Sequence, residues 1–148
     1  LADLPNASLL HVVRNPWSAY ADTKRRPVPL SLREYLLRWC IAQQHALVAQ
    51  RLFPERVHIV RYEDLVAAPR QTLGRVCAAL GLETPSSLER PTWNGEPLPE
   101  VYPWGTIRLA TSAANRATAE ELTAAERDEI RTRAWPYLDC YDYGAFLA

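Results

Sequence analysis

The stretch LLHVVRNPWSAYADTKRR, residues 9–26, decides the fold of this chain. It is apolar and β-branched until it reaches Arg14, which is typical of a buried parallel strand. Asn15 is a favoured helix N-cap, and the fixed φ of Pro16 suits the first position of a helix. The stretch therefore predicts a strand, a short turn and a helix, with an arginine at the carboxyl end of the strand.

Arg14 makes this turn a candidate phosphate site. In open α/β sheets ligands bind at the carboxyl edge of the strands, and a helix N-terminus attracts anions through its free N–H groups. The guanidinium group adds a fork of donors that matches phosphate oxygens. A buried strand followed by a capped helix also forms without any ligand. At this point a solvated strand end therefore remains the alternative interpretation.

A long helix is predicted after this unit. Ser31 and Glu34 form the pattern of a capping box, and the helix that it starts runs to about Leu52, before Pro54. Apolar residues recur at alternating spacings of four and three and predict one buried stripe. The stripe consists of Tyr35, Trp39, Ala42, Ala46, Ala49 and Phe53.

The rest of the chain predicts one more strand and two more helices. VHIVRY, residues 57–62, is typical of a strand, and Pro69 opens a helix that Gly81 ends. A second capping-box pattern near residue 123 predicts a helix to about residue 134, ended by Pro136. Residues 82–115 are rich in Pro, Gly and Ser and are expected to be irregular. The order of elements predicts an α/β fold with parallel strands.

Two motifs in this order resemble the sulfotransferase family. One is Arg14-Asn15-Pro16 after an apolar strand, and the other is RYEDLVAAPRQTLGRVCAALGL, residues 61–82. Enzymes of that family transfer a sulfuryl group from 3′-phosphoadenosine 5′-phosphosulfate (PAPS) to an acceptor. The resemblance implies a partial P-loop-like sheet flanked by helices, PAPS as co-substrate, an unidentified acceptor and no metal.

The resemblance also implies which residues bind the donor. The Arg-x-Pro turn of the family holds the 3′-phosphate of PAPS, which assigns this role to Arg14. The family places a serine where this chain has Asp22, and a carboxylate there would repel the phosphate. Ser18, on the same helix face, and Thr23, next to Asp22, are the candidates to replace that serine.

A late basic loop closes over the 3′-phosphate in the family. Here the segment RLATSAANR, residues 108–116, supplies Arg108 and Arg116 as candidate donor-binding residues, with Ser112 and Asn115 as supporting groups. A solvated loop before a helix is the alternative interpretation of the same segment.

Glu63 and Asp64 end the second predicted strand and resemble the family's Tyr-Glu-Asp-Leu turn, which is architectural there. Two carboxylates at a strand end also suit acid–base chemistry or a metal, but no third ligand of suitable spacing is visible. A P-loop kinase-like phosphotransferase would use Asp64 to bind Mg²⁺. A non-catalytic interaction module is the remaining alternative, for which the Trp-bearing, Pro-rich segment is the only support.

This sequence does not show several parts of a complete donor site. No Gly-rich or Ser/Thr-rich phosphosulfate loop follows a strand, and two parallel strands are few for a stable sheet. The chain has no methionine and begins with Leu1. We expect residues 1–148 to be the C-terminal portion of one sulfotransferase domain, with its N-terminal strands, phosphosulfate loop and catalytic base upstream.

Composition limits the other function classes. The formal net charge is zero, which gives no overall indication of nucleic acid as a partner. No apolar run is long enough to span a membrane. The three cysteines lack metal-ligand or disulfide spacing and indicate a reducing compartment, so a cytoplasmic location is expected.

Overall fold

The computed structural model describes residues 1, 3–89, 92–93, 96–97 and 111–147. Its first elements are strand β1 (Leu9–Val13), helix α1 (Pro16–Lys24), helix α2 (Leu32–Leu52) and strand β2 (Val57–Arg61). They are followed by α3 (Tyr62–Ala67), α4 (Pro69–Ala79), a 3-10 turn (Ser86–Glu89), β3 (Thr92–Trp93), β4 (Glu96–Pro97), α5 (Ser112–Glu120) and α6 (Ala124–Cys140).

β1 and β2 pair in parallel, with Val13 opposite Arg61, as the sequence predicts. Because parallel strands end at the same edge of a sheet, the residues that follow them, Arg14 and Tyr62, lie at that edge. β3 and β4 form a separate antiparallel pair. The mixed helix–strand class is thus confirmed, with a two-stranded parallel sheet flanked by helices. The P-loop-like character of the sheet stays a prediction.

The first two helices begin where the sequence places their caps. Asn15 is the N-cap of α1, and its side-chain oxygen accepts a hydrogen bond from the Ser18 backbone N–H at 2.9 Å. The capping box of α2 is confirmed, because the Glu34 backbone N–H donates to Ser31 Oγ and the Glu34 carboxylate accepts from the Ser31 N–H. Both helices therefore start at the residues that the sequence predicts.

The buried face of α2 differs from the predicted stripe at its centre. Ala42 is exposed, and the polar neighbour Gln43 is buried in its place. Gln43 pairs with His11 of β1 at 2.8 Å and donates to the Trp39 carbonyl, so the polarity of its side chain is satisfied. The prediction that Ala42 faces the core is wrong, because hydrogen bonds rather than apolar character select the buried residue.

In the described part of the chain, no helix is both long and apolar enough to cross a membrane.

Gly81 ends α4 as predicted. Its φ of 67° lies in the left-handed region, which side chains disfavour. The Leu82 N–H donates to the Cys77 carbonyl at 2.8 Å, and the Gly81 N–H donates to the Ala78 carbonyl at 3.2 Å. These two bonds form the Schellman arrangement that satisfies the last carbonyls of a helix.

The last helix continues beyond its predicted end. α6 passes through Pro136 and ends at Cys140, so the prediction that Pro136 stops it is wrong. A proline inside a helix costs about 3 kcal/mol. The turn after Pro136 buries Leu138, and the chain then buries Tyr141 and Tyr143 in the same core. Burial of these side chains outweighs the cost of the proline.

Two helices appear where none was predicted. α3 follows β2 without a loop, at residues where the sequence predicts only the end of a strand. α5 covers part of the segment expected to be irregular up to Asn115, so that part of the prediction is wrong. Thr111 caps α5 by accepting from the Ala114 N–H at 3.1 Å, and the alanine-rich sequence that follows favours helix. The prolines and glycines before residue 111 concealed this signal.

The core lies between β1, α1, α2, α5, α6 and the residues after α6. Trp17, Tyr143 and Ile130 are its largest fully buried apolar side chains. The Trp17 indole N–H donates to the Arg127 carbonyl, which ties α1 to α6. Helix α1 therefore has its N-terminus fixed at the sheet edge and its buried face fixed against α5 and α6.

Candidate functional site

Arg14 lies between the last residue of β1 and the N-cap of α1. Its side chain is 25% exposed, so it is in contact with solvent although its backbone is held within the fold. The Arg14 carbonyl accepts a hydrogen bond from the Trp39 indole N–H at 3.1 Å. The long helix thus fixes the strand end from which the guanidinium group extends.

Three neighbours orient the Arg14 guanidinium group. Nε donates to Asn115 Oδ1 at 2.7 Å, and one terminal nitrogen donates to Asp22 Oδ2 at 2.6 Å. The group also lies over the ring of Tyr62, 5.0 Å from its centroid, in a cation–π contact. These contacts come from α1, α3 and α5, so the direction of the side chain depends on the packing of three helices.

Glu63, in the first turn of α3, connects the same elements. Its Oε1 accepts from the Asn15 N–H at 3.1 Å, from Asn15 Nδ2 at 2.7 Å and from Asn115 Nδ2 at 2.9 Å. Its Oε2 accepts from the Tyr143 hydroxyl at 2.6 Å. Burial raises the pKa of Glu63, but hydrogen bonds from Asn15, Tyr143 and Asn115 outweigh it and hold the pKa below the usual 4.5. Glu63 is therefore ionised at neutral pH, and both of its carboxylate oxygens accept hydrogen bonds.

Tyr143 reaches this group from the segment after α6. It is fully buried, and burial together with the neighbouring Glu63 carboxylate raises the pKa of its phenol. The hydroxyl therefore stays protonated and remains a hydrogen-bond donor. The Arg61 guanidinium group lies over the ring, 4.9 Å from its centroid.

Ser18 and Thr23 both direct their hydroxyl groups toward the protein backbone. Ser18 is fully buried and donates to the Asn115 carbonyl at 2.7 Å. Thr23 donates to the Ala19 carbonyl at 2.8 Å, within its own helix. Among Ser18, Asp22 and Thr23, Asp22 is the residue that contacts Arg14. The roles of Ser18 and Thr23 in donor binding stay predictions.

Arg116 lies in α5 rather than in a loop. Its side chain is about half exposed, donates to the Glu120 carboxylate at 3.3 Å and donates to the Phe146 carbonyl at 3.0 Å. Its contact with the donor stays a prediction. Arg108 lies outside the described residues.

The sequence does not predict the contacts of three residues at this site. Tyr143 is separated from Glu63 by 80 residues, and no local pattern in the sequence points to their contact. Asn115 is predicted to support a ligand, whereas its side-chain oxygen accepts from Arg14. The contact of the Tyr62 ring with Arg14 is the third. The position of Tyr62 directly after a strand is the one signal in the sequence for this contact.

The histidines and carboxylates do not form a metal centre in the described part of the chain. No group of three or more His, Cys, Asp or Glu side chains there is placed to hold a metal ion. Asp64, the candidate magnesium ligand of the kinase-like alternative, is half exposed and lies 4.0 Å from the Arg61 guanidinium nitrogen. Its position gives no specific support to that alternative.

Comparison with known proteins gives one family match. The model of the sulfotransferase family matches residues 1–86, which is more than half of the 148 residues. The matched range contains Arg14, Asp22 and Glu63, whereas Asn115 and Tyr143 lie beyond it. No curated protein and no solved structure matches the chain.

Proposed function

Because the chain belongs to the sulfotransferase family, we propose that the protein transfers a sulfuryl group from PAPS to an acceptor and that this chain binds the donor's 3′-phosphate. In this reaction an acceptor atom forms a bond to sulfur while the bond between sulfur and the 5′-phosphate oxygen breaks. 3′-Phosphoadenosine 5′-phosphate leaves with the electron pair, and a base takes the acceptor's proton. Positioning and charge stabilisation supply most of the rate in transfers of this kind.

The position of Arg14 is the observation that carries this proposal. A partly exposed guanidinium group stands at the carboxyl edge of a parallel sheet and beside a helix N-terminus. Both features favour binding of an anion. Stacking on Tyr62 and the bond to Asn115 hold the group in one orientation. The ordering cost that a flexible arginine incurs on binding is thereby reduced.

Asp22 occupies a nitrogen of Arg14 that we propose binds the phosphate. Its carboxylate bonds to a terminal nitrogen of Arg14 at 2.6 Å, at a position that a phosphate oxygen would use. We propose that the donor's 3′-phosphate displaces Asp22 from this nitrogen and keeps the contact of Nε with Asn115. Because both anions compete for one cation, this site binds the donor more weakly than one with a hydroxyl group at residue 22.

The remaining parts of the donor site are proposed to lie outside the described residues. These parts are the phosphosulfate loop, the catalytic base and the acceptor pocket. Arg108 and Arg116 remain candidates for closing over the 3′-phosphate. We assign no proton transfer to a residue of this chain, and we propose that residues 1–148 form the C-terminal portion of one domain.

Calorimetric titration of the full-length protein with 3′-phosphoadenosine 5′-phosphate tests this function. Loss of a charge-assisted contact costs about 1.5–3 kcal/mol, so Arg14→Ala is expected to weaken binding by about ten- to a hundredfold. Arg133→Ala is the matched control, since this arginine is half exposed and pairs only with its helix neighbour Glu129 in the described structure. Unchanged affinity of Arg14→Ala would remove Arg14 from the donor site. Tight binding of ATP in place of this nucleotide would favour the kinase-like alternative.

A further inference from the structure

The Glu63 carboxylate fixes the orientation of two asparagine side chains. Asn15 and Asn115 each point their Nδ2 group at Glu63 Oε1, at 2.7 and 2.9 Å. An ionised carboxylate can only accept hydrogen bonds, so each amide must turn its NH₂ group toward it. The carbonyl oxygen of each amide is then free to serve a donor elsewhere.

These two carbonyl oxygens accept from two donors beside the proposed phosphate site. Asn115 Oδ1 accepts from Arg14 Nε at 2.7 Å, and Asn15 Oδ1 accepts from the Ser18 backbone N–H at 2.9 Å. One bond directs the guanidinium group, and the other caps helix α1. Both bonds therefore depend on the acceptor oxygen that Glu63 presents to the two amides.

We propose that Glu63 is a positioning residue for the donor's 3′-phosphate, acting on Arg14 through Asn115. This inference rests on the proposed function, because it concerns the same phosphate. Glu63 touches neither the donor nor the reacting atoms. It keeps Asn115 in the orientation that accepts from Arg14, so that the guanidinium group is already aligned when the phosphate arrives.

Replacement of Glu63 by leucine keeps a side chain of similar size and removes both acceptor oxygens. Glutamine would not remove them, because its carbonyl oxygen can accept from both asparagines while its NH₂ group donates to the Tyr143 hydroxyl, which can itself donate to the Val13 carbonyl at 3.2 Å. With leucine, no acceptor at residue 63 holds the NH₂ group of Asn115, so that amide is free to flip. A flipped amide presents a donor to Arg14 Nε, and two donors facing each other repel.

The experiment compares two nucleotides that differ only in the 3′-phosphate. Calorimetric titration of the full-length protein with 3′-phosphoadenosine 5′-phosphate and with adenosine 5′-phosphate gives a ratio of affinities. This ratio isolates the 3′-phosphate, because a general loss of folding or of adenosine binding affects both titrations. Glu63→Leu is expected to lower the ratio by about tenfold or more, the effect of losing one well-placed bond to a charged group.

Asp64→Leu is the matched control. Asp64 is the neighbouring carboxylate on α3, is half exposed and makes no contact with Arg14 or Asn115 in the described structure. Its replacement is expected to leave the ratio unchanged. In the double variant of Arg14→Ala with Glu63→Leu, the ratio is expected to equal that of Arg14→Ala alone, since both residues act through one contact.

Asn115→Ala interrupts the same connection and leaves the Glu63 carboxylate in place. It is expected to lower the ratio as Glu63→Leu does, and it provides the test if Glu63→Leu does not fold. A ratio retained in either folded variant, while Arg14→Ala removes it, would overturn the positioning role and leave the proposed function standing. A ratio near one in the unaltered protein would instead overturn the 3′-phosphate site itself.

Discussion

Arg14 owes its orientation to residues that lie far from it in the sequence as well as to near neighbours. Asp22 is eight residues away on α1, whereas Asn115 is 101 residues away on α5. The pair of Arg14 and Asp22 is only about a quarter exposed, so water screens it less than a surface ion pair. A ligand anion at this point must compete with a carboxylate that the chain itself provides.

Asp22→Ser is expected to strengthen binding of 3′-phosphoadenosine 5′-phosphate. The change removes the competing carboxylate and introduces a hydroxyl donor beside Arg14. We expect a gain of about tenfold, which corresponds to about 1.4 kcal/mol. Calorimetric titration of the full-length protein measures it, with Asp128→Ser, an exposed carboxylate on α6, as the control. Weaker binding by Asp22→Ser would mean that Asp22 orients Arg14 for the donor and does not compete with it.

One glycine lies inside helix α4 and a second one follows it, and the two have different structural roles. Gly81 follows the helix with a φ of 67°, whereas Gly74 lies inside the helix with a negative φ. A Cβ atom on Gly74 would lie 3.5 Å from the Thr84 side chain, an ordinary van der Waals distance. The backbone conformation therefore requires glycine at residue 81, whereas alanine can replace glycine at residue 74.

Gly81→Ala is expected to destabilise the fold by about 1–2 kcal/mol, the cost of a side chain in the left-handed region. Gly74→Ala is expected to stabilise it by about 0.4–1 kcal/mol, because alanine reduces the entropy of the unfolded chain and favours helix. Chemical denaturation of both variants measures the two changes in the free energy of unfolding. Equal effects of the same sign would contradict the assignment of Gly81 as the helix terminator.

At the scale of the whole molecule, β1 presents apolar side chains to solvent. Leu9, Leu10 and Val12 are 41%, 42% and 46% exposed in the described structure. In the described part of the chain, the parallel sheet contains β1 and β2 alone. An exposed apolar strand with unpaired backbone groups favours association with other chains.

We expect residues 1–148, produced by themselves, to self-associate and to show no sulfuryl transfer. Light scattering over a range of concentrations measures the association, and Leu10→Lys is expected to reduce it by placing a charge on the exposed strand. Leu37→Lys is the control, because this leucine lies on α2 rather than on a strand and is 62% exposed. A monomer with a sharp thermal transition, or measurable transfer, would contradict this expectation.

Local signals predicted much of the framework. The cap at Asn15, the capping box at Ser31 and the terminator at Gly81 each depend on residues within about four positions of one another. The strand–turn–helix around Arg14 is of the same kind, and with the motif at residues 61–82 it was enough to identify the family. Such features can be predicted from the sequence because the residues that interact are neighbours along the chain.

The sequence by itself determined that Arg14 stands at the carboxyl end of a strand, before a capped helix. Only the tertiary structure decided what surrounds it: Asn115 on Nε, and Tyr143 on the Glu63 carboxylate. The continuation of α6 through Pro136 was likewise decided by burial of the residues that follow it. These outcomes depend on contacts between segments 80 or more residues apart. Local conformational preference carries no information about such contacts, because they form only when the helices pack.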